Sequence, residues 1–328
     1  MKKLLFLGCN FLQLDYLIAA RALGFHVIAT DQNPEAPGAS IADEFINTGY
    51  LDQDGLKKLA QESGLSAGDR VFTASAHFAY EGAARVAREL GLIFPPTAII
   101  DTCLDKRKFY DLLRKHAIPV PPTRIFKENI SLKAGQKYYL KSDYGKTPRY
   151  NFQISDQIPA LPPHDMYFRD CFLLQEEIVG QHFRVNLYGD QMALFVTVDE
   201  KAFTPLLTLP RYHDEIQTKL LKLRTALGLD NWLIKFDVLM NEDGWYVIDL
   251  GLDPPMRLRQ FCQWRSVSFC EAYVRQYLLD DAQALPPWQE LFSPVTITGN
   301  TTSGLNSTLP FQPRNRCHEN RHPQLPGQ

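Results

Sequence analysis

The sequence predicts an α/β protein in which a parallel sheet, wound from β-α-β units, is followed by two α+β parts. Three observations predict it. Strand, turn, helix and strand alternate from Lys2 onward; strand-like runs dominate after the "PVPP" of residues 119–122; and 328 residues exceed what one hydrophobic core organises, so two or three subdomains are expected.

The first unit reads "KLLFLG" as a strand, "LDYLIAARALG" as a helix with apolar residues at helical spacing, and "HVIATD" as a second strand. "DEFINTG", "LKKLAQESG", "RVFTAS" and "YEGAARVARELGL" repeat the alternation, each helix stopping at a glycine suited to a left-handed cap. In such a sheet the ligand crevice lies at the carboxyl ends of the strands, where Gly8, Cys9, Asn10 and Asp31 fall. The missing GxGxxG after the first strand argues against a dinucleotide. The unit ends near Pro95–Pro96. A helix over "DKRKFYDLLRKHAI" follows, then the strands "KYYLKSD", "CFLLQEEIVG" and "HFRVNLYGDQMALFVTVDE". The helix "EIQTKLLKLRTALGL", two strands joined by "NEDG", and the helix "VSFCEAYVRQYLL" complete the pattern. After about Asp280 the chain turns to Pro, Thr, Asn and Gln, and an irregular tail is expected.

A 45% hydrophobic, 22% charged composition is that of a soluble globular protein. With 35 basic against 37 acidic residues, no positive field exists to hold nucleic acid or an anionic membrane, so small-molecule partners are expected. No apolar run approaches the roughly 18 residues of a membrane span. Six scattered cysteines without CxxC spacing read as reduced thiols, which predicts a cytoplasmic protein. The "RCHENRH" of the tail has only three potential zinc ligands, and "TASAH" lacks the elbow of a serine hydrolase.

The chemistry concentrates in "IKFDVLMNEDGWYVIDLGLDPPMR". Pairing about the "NEDG" turn brings Asp237 and Asp249 opposite one another on one face of the sheet. Like charges so placed need a cation, and Mg²⁺ with substrate phosphates is the partner that paired carboxylates suit; two solvated strand-end aspartates are the plain alternative. Lys106 at a helix start and Lys141 at a strand end could each point an ammonium into a cleft toward an anion.

In this order, "DKRKFYDLLRKHAIPVPP", "YYLKS", "LQEEIVG" and "FDVLMNEDGWYVIDLG" resemble the ATP-grasp superfamily of ATP-dependent carboxylate-amine ligases, over roughly residues 1–275. The resemblance implies a Rossmann-like amino-terminal domain (1–97), an ATP-grasp lid subdomain (98–173) and a metal and substrate subdomain (174–280) closing on the nucleotide, before a tail (281–328). It implies ATP and Mg²⁺ as cofactors, with Lys106 and Lys141 on the phosphates, Glu176, Glu177 and Ile178 as the adenine hinge, and Asp237 and Asp249 as metal ligands. The loop "DYGKTPRYN" stands where the family has a glycine-rich phosphate cover; it has one glycine, with Lys146, Thr147 and Arg149 as alternative donors. His182 stands in the slot of a ribose-binding glutamate.

Where the family reads glu-x-asn-pro-arg, this chain reads "DLGLDPPMR"; Gly251 replaces an asparagine ligand, and Asp253 could reach a second Mg²⁺ instead. Arg257 first and Arg259 second are the candidates to hold an acyl phosphate. Gly8, Asn10, Ser75 and His77 mark the substrate crevice. The implied activity joins a small carboxylate to an amine through an acyl phosphate, and a homodimer is compatible with it. A nucleotide-binding protein of the same fold that has lost ligation, and a phosphotransferase, are the alternatives.

Overall fold

The computed structural model describes residues 2–75, 77–95, 97–127, 130–144, 151–154, 171–197, 203–205, 210–281, 285–287 and 290–291. Residues 1–292 form one compact unit, and the second unit, 293–328, lies outside the described residues, as does most of the predicted tail.

Strands β1 (Lys3–Leu7), β2 (His26–Thr30), β3 (Glu44–Ile46) and β4 (Arg70–Thr73) pair in parallel in the order β3-β2-β1-β4. Their connections are α1 (Leu14–Ala22), a 3₁₀ turn (Pro37–Ser40) and α2 (Gln53–Glu62), with α3 (His77–Leu90) after β4. Both faces are apolar, as a parallel sheet covered on each side requires. Leu5, Leu7, Ile28 and Val71 belong to one buried cluster with Leu56, Leu59, Ala83 and Val86 of α2 and α3. Leu4, Phe6, Val27 and Phe72 point the other way, into a cluster with Tyr16 and Leu17 of α1. The glycine stops hold: Gly24, Gly64 and Gly91 end α1, α2 and α3 with φ of +83°, +62° and +67°.

Two helices follow Pro95, α4 (Thr97–Leu104) and α5 (Lys106–Lys115). Only α5 is announced by the sequence: Asp105 caps it, its carboxylate accepting from the amides of Arg107 and Lys108. The β-branched residues of α4 read poorly as helix, and packing against α3 together with burial of Ile100, Cys103 and Leu104 decides the matter.

An antiparallel sheet, β5-β8-β6-β7, is built from β5 (Thr123–Ile125), β6 (Tyr138–Ser142), β7 (Asn151–Ile154) and β8 (Phe172–Glu176). A second, β11-β10-β9-β12-β13, uses β9 (Gln181–Tyr188), β10 (Gln191–Thr197), β11 (Phe203–Pro205), β12 (Ile234–Met240) and β13 (Trp245–Gly251). Helix α6 (His213–Ala226) precedes β12. After β13 come α7 (Met256–Trp264), unannounced behind its two prolines, and α8 (Phe269–Leu279). Helix α8 returns to the parallel sheet, where Tyr273 packs edge-on against Tyr16 and Phe72, and the Tyr277 hydroxyl donates to the Val71 carbonyl. Leu285 and Leu291 lie buried in the same core as α8. Among the described residues no helix is long and apolar enough to cross a membrane.

Candidate active site

The two faces of the five-stranded sheet differ in chemistry because its strands alternate. Phe183, Val185 and Leu187 of β9, with Ile234, Phe236 and Val238 of β12, are buried in the main core. The intervening residues form a polar face. On it Arg184 stands opposite Asp237 and Asn186 opposite Lys235; across the next pairing Asp237 faces Asp249 and Lys235 faces Gly251.

The hairpin turn sets the register of the aspartates. The Asn241 amide donates to the Gly244 carbonyl, and the Asn241 carboxamide oxygen accepts from the amides of Asp243 and Gly244. A bulge between Asp237 and Val238 adds one residue to β13, and Asp237 and Asp249 still meet as a pair. The cation that such a pair needs comes partly from the chain itself. Arg184 donates to both oxygens of Asp237, Nε to Oδ1 at 2.8 Å and Nη2 to Oδ2 at 3.2 Å, and the His182 imidazole lies 3.3 Å from Oδ1. Sequence reasoning missed Arg184, although its position two residues past His182 fixes it on the same face. Among the described residues no group of three or more His, Cys, Asp or Glu side chains is arranged to hold a metal ion.

Lys141 lies one residue before the end of β6, its ammonium donating to Gln175 Oε1 at 2.7 Å, while the Gln175 carboxamide nitrogen donates to the hydroxyls of Tyr110 and Thr123. Tyr110 in turn donates to the Ile248 carbonyl, so α5 ties both antiparallel sheets together beside the site. The Lys141 ammonium is brought down to about 8, mainly by removal from water, with Asp249 and Asp237 raising it and Lys106 lowering it. The two lysines and the two aspartates therefore share one electrostatic neighbourhood. Lys106 opens α5 with its amide bonded to the Asp143 carbonyl, which fixes the helix start against the end of β6.

Glu176 closes β8, and Glu177, Ile178, Val179 and Gly180 carry the chain from one sheet to the other before β9. The Glu177 amide donates to the Lys137 carbonyl, and Gly180 packs so closely on β12 that an added Cβ would lie 2.6 Å from the Met240 carbonyl oxygen. Lys146 and the rest of the predicted phosphate loop lie outside the described residues, as does the side chain of His77, whose backbone opens α3.

Gly8 has φ +82°, and a Cβ there would stand 2.3 Å from Ser75 Oγ, so the ends of β1 and β4 meet at these two residues. Asn10 spends its side-chain oxygen on the Phe11 amide, and Asp31 accepts from the Cys9 amide. Tyr80 joins this crevice to the segment after β13, its hydroxyl bonded to the carbonyls of Thr73 and Leu252. The other candidates have defined partners. Arg257 donates to Gln260 at 2.9 Å; Arg259 pairs with Asp15, donates to the Leu12 carbonyl and covers the Tyr16 ring; and Asp253 pairs with Lys235. Arg259 is thus turned to α1, while Arg257 and Asp253 stay beside the end of β13. A cavity of about 390 Å³ between α1, α7 and α8 lies beside Arg259, away from the paired aspartates.

No family model matches the chain. Among curated proteins, it is 39% identical over 62 residues to the formate-dependent phosphoribosylglycinamide formyltransferase of Bacteroides thetaiotaomicron, 19% of this chain and 16% of that one. It is 42% identical over 45 residues to the N5-carboxyaminoimidazole ribonucleotide synthase of Staphylococcus haemolyticus, 14% of this chain and 12% of that one. The chain thus matches less than a fifth of either relative's length. Solved structures match far more. N5-carboxyaminoimidazole ribonucleotide synthetase from Thermotoga maritima superposes with a TM-score of 0.66 at 18% identity, over 85% of this chain and 76% of that one. The L-amino acid ligase of Bacillus licheniformis gives 0.65 at 14%, over 85% and 74%. The biotin carboxylase domain of the Hydrogenobacter thermophilus 2-oxoglutarate carboxylase, solved with MgADP and bicarbonate, gives 0.67 at 18%, over 84% and 69%. These likenesses define the class, an α/β protein whose two antiparallel sheets follow a parallel amino-terminal sheet. Within that class the chain has the ATP-grasp fold.

Proposed function

We propose that the chain is an ATP-dependent carboxylate-amine ligase working through an acyl phosphate, with a small acid and an amine as its substrates. The observation that carries this is the convergence of Lys106, Lys141, Asp237 and Asp249, with Lys141 held down to about 8 by burial and, less, by Lys106. Two ammonium groups in a desolvated cleft repel one another, and a polyphosphate relieves that repulsion. The fold of ligases and of a carboxylase solved with MgADP agrees with it.

In this reading Lys106 and Lys141 hold the phosphates, the 176–178 hinge receives the adenine and His182 the ribose. An oxygen of the substrate carboxylate attacks the γ-phosphorus and ADP departs; the amine nitrogen then attacks the acyl carbon, and phosphate leaves as the amide forms. Phosphoryl transfer of this kind asks mainly for position and charge neutralisation, so no covalent nucleophile is needed. The donor set suits Mg²⁺ held by a carboxylate plus phosphate oxygens, which Asp249 would supply, while the Arg184 fork answers the charge of Asp237. Bound there, the ion supplies charge neutralisation on the phosphates. Arg184 thus fixes Asp237 behind Asp249, and Tyr80 holds the acid's crevice against the end of β13. Among the described residues the cysteines stand as thiols outside any disulfide, which suits the cytoplasm.

The Arg184 fork also favours a second reading, a nucleotide-binding protein without ligation, since it gives Asp237 an internal cation. Phosphate release separates the two: ligation requires acid and amine together, whereas a binding module shifts its melting temperature with MgATP and turns nothing over. Lys141→Ala and Asp249→Asn are each expected to lower turnover by about 100-fold or more while the fold persists. Near-normal turnover in either would remove that residue from the site.

A further inference from the structure

Only 2% of Gln175, the next-to-last residue of β8, reaches solvent. The three strand residues before it, Phe172, Leu173 and Leu174, are apolar and buried, so a carboxamide at 175 must recover its desolvation through hydrogen bonds. It does so completely at both ends. Its oxygen accepts from the Lys141 ammonium at 2.7 Å, and its nitrogen donates to the Tyr110 hydroxyl at 3.0 Å and the Thr123 hydroxyl at 2.9 Å.

The outer hydroxyls fix which end is which. Tyr110 gives its one hydrogen to the Ile248 carbonyl, and Thr123 gives its own to the Pro121 carbonyl. Each hydroxyl therefore turns only lone pairs toward residue 175, and the carboxamide nitrogen must face them while the oxygen faces Lys141. A glutamate there would set a carboxylate oxygen against those lone pairs. The network thus selects a neutral side chain with an acceptor at one edge and two donors at the other.

That neutrality separates Lys141 from other cations of the fold. Arg184 donates to Asp237 and Arg259 to Asp15, cation to carboxylate, whereas the hydrogen-bond partner of Lys141 among the described residues is an uncharged amide. The same carboxamide also sets the lysine against its neighbours. Tyr110 stands one helical turn past Lys106 on α5, and Ile248 precedes Asp249 on β13.

Resting on the reading of Lys141 as a phosphate ligand, we propose that Gln175 is a positioning residue for the nucleotide: its carboxamide aims the Lys141 ammonium and, being neutral, leaves the positive charge to the phosphates. Tyr110 and Thr123 hold the carboxamide in that sense, so the lysine keeps one orientation relative to Lys106 and Asp249.

The test is a double-variant cycle on the full chain, read as MgADP affinity by calorimetry at pH 7, where Lys141 keeps its proton. Lys141→Ala is expected to weaken binding about thirtyfold. Gln175→Met is expected to weaken it about fivefold beside an intact Lys141 and less than about twofold in Lys141→Ala, because a residue that acts through the lysine then has nothing to act on. Gln175→Glu is expected to weaken binding at least as much as Gln175→Met, since the new carboxylate takes the charge that the phosphates need. A loss of equal size in both backgrounds marks a merely structural glutamine and overturns the assignment, as does wild-type affinity in Gln175→Met or Gln175→Glu; each of these leaves the phosphate role of Lys141 standing. Wild-type chain that does not bind MgADP, or Lys141→Ala that binds it as tightly as wild type, removes that role and this assignment with it. Should Gln175→Met fail to fold, Thr123→Val replaces it and removes one of the two acceptors that aim the carboxamide. A loss of about threefold that vanishes in Lys141→Ala is then expected, and no loss counts against the assignment.

Discussion

At the scale of single residues, charge decides what each side chain contributes. Lys141 is the clearest case, because its ammonium falls from the ordinary 10.5 to about 8 on burial beside Lys106. Below about pH 8 both folded and unfolded chains hold the proton, and the folded state bears the full cost of the buried charge. Between about 8 and 10.5 the unfolded chain binds the extra proton, so stability rises with pH across that window. Melting curves from pH 8 to 10 are expected to show wild type gaining stability relative to Lys141→Met, whereas nucleotide affinity falls over the same range as the ammonium is lost. A pH-independent difference between the two proteins would contradict the assignment. Asp237 offers the converse test. Arg184→Met removes the guanidinium fork from a buried carboxylate and is expected to cost about 3 kcal/mol, most of it recovered in Arg184→Met/Asp237→Leu. Denaturant midpoints measure both.

At the scale of elements, strand ends and turns place the chemistry. The β1 terminus must turn through a positive φ at Gly8 while passing Ser75 at close range. Gly8→Ala is therefore expected to cost about 1–2 kcal/mol, and Gly8→Ala/Ser75→Ala to recover only the part due to contact, since the backbone strain remains. Full recovery in the double variant would show that sterics alone were responsible. Most elements were legible from periodicity and punctuation, including the glycine stops, the capped start of α5 and the "NEDG" hairpin that pairs Asp237 with Asp249. Helices α4 and α7 were not, because each begins directly behind a pair of prolines without a capping side chain, and α4 is rich in β-branched residues. Their helicity comes from burial, of Ile100 and Leu104 in one and of Leu258 and Cys262 in the other.

At the scale of the whole molecule, distant segments complete one core. Leu285 and Leu291 are buried in one cluster with residues of the neighbouring α8 and of α1 and β12, which lie far from them in sequence. Leu291→Ala is expected to destabilise the protein by about 2–4 kcal/mol, which thermal unfolding would register; a change below about 0.5 kcal/mol would mean that this leucine does not belong to the core. The same long-range assembly builds the candidate site. Lys106 comes from a helix, Lys141 from one sheet and the aspartates from another, and the tyrosines Tyr80 and Tyr110 bridge them through the carbonyls of Leu252 and Ile248.

The sequence by itself determined the alternation of elements, the parallel character of the first sheet and the facing aspartates, because each follows from local periodicity and the geometry of one short turn. Only the tertiary structure decided which cation answers which carboxylate. Arg184 reached Asp237 through strand register between segments some fifty residues apart, and pairing at such separations is set by how whole sheets pack, which no local pattern encodes.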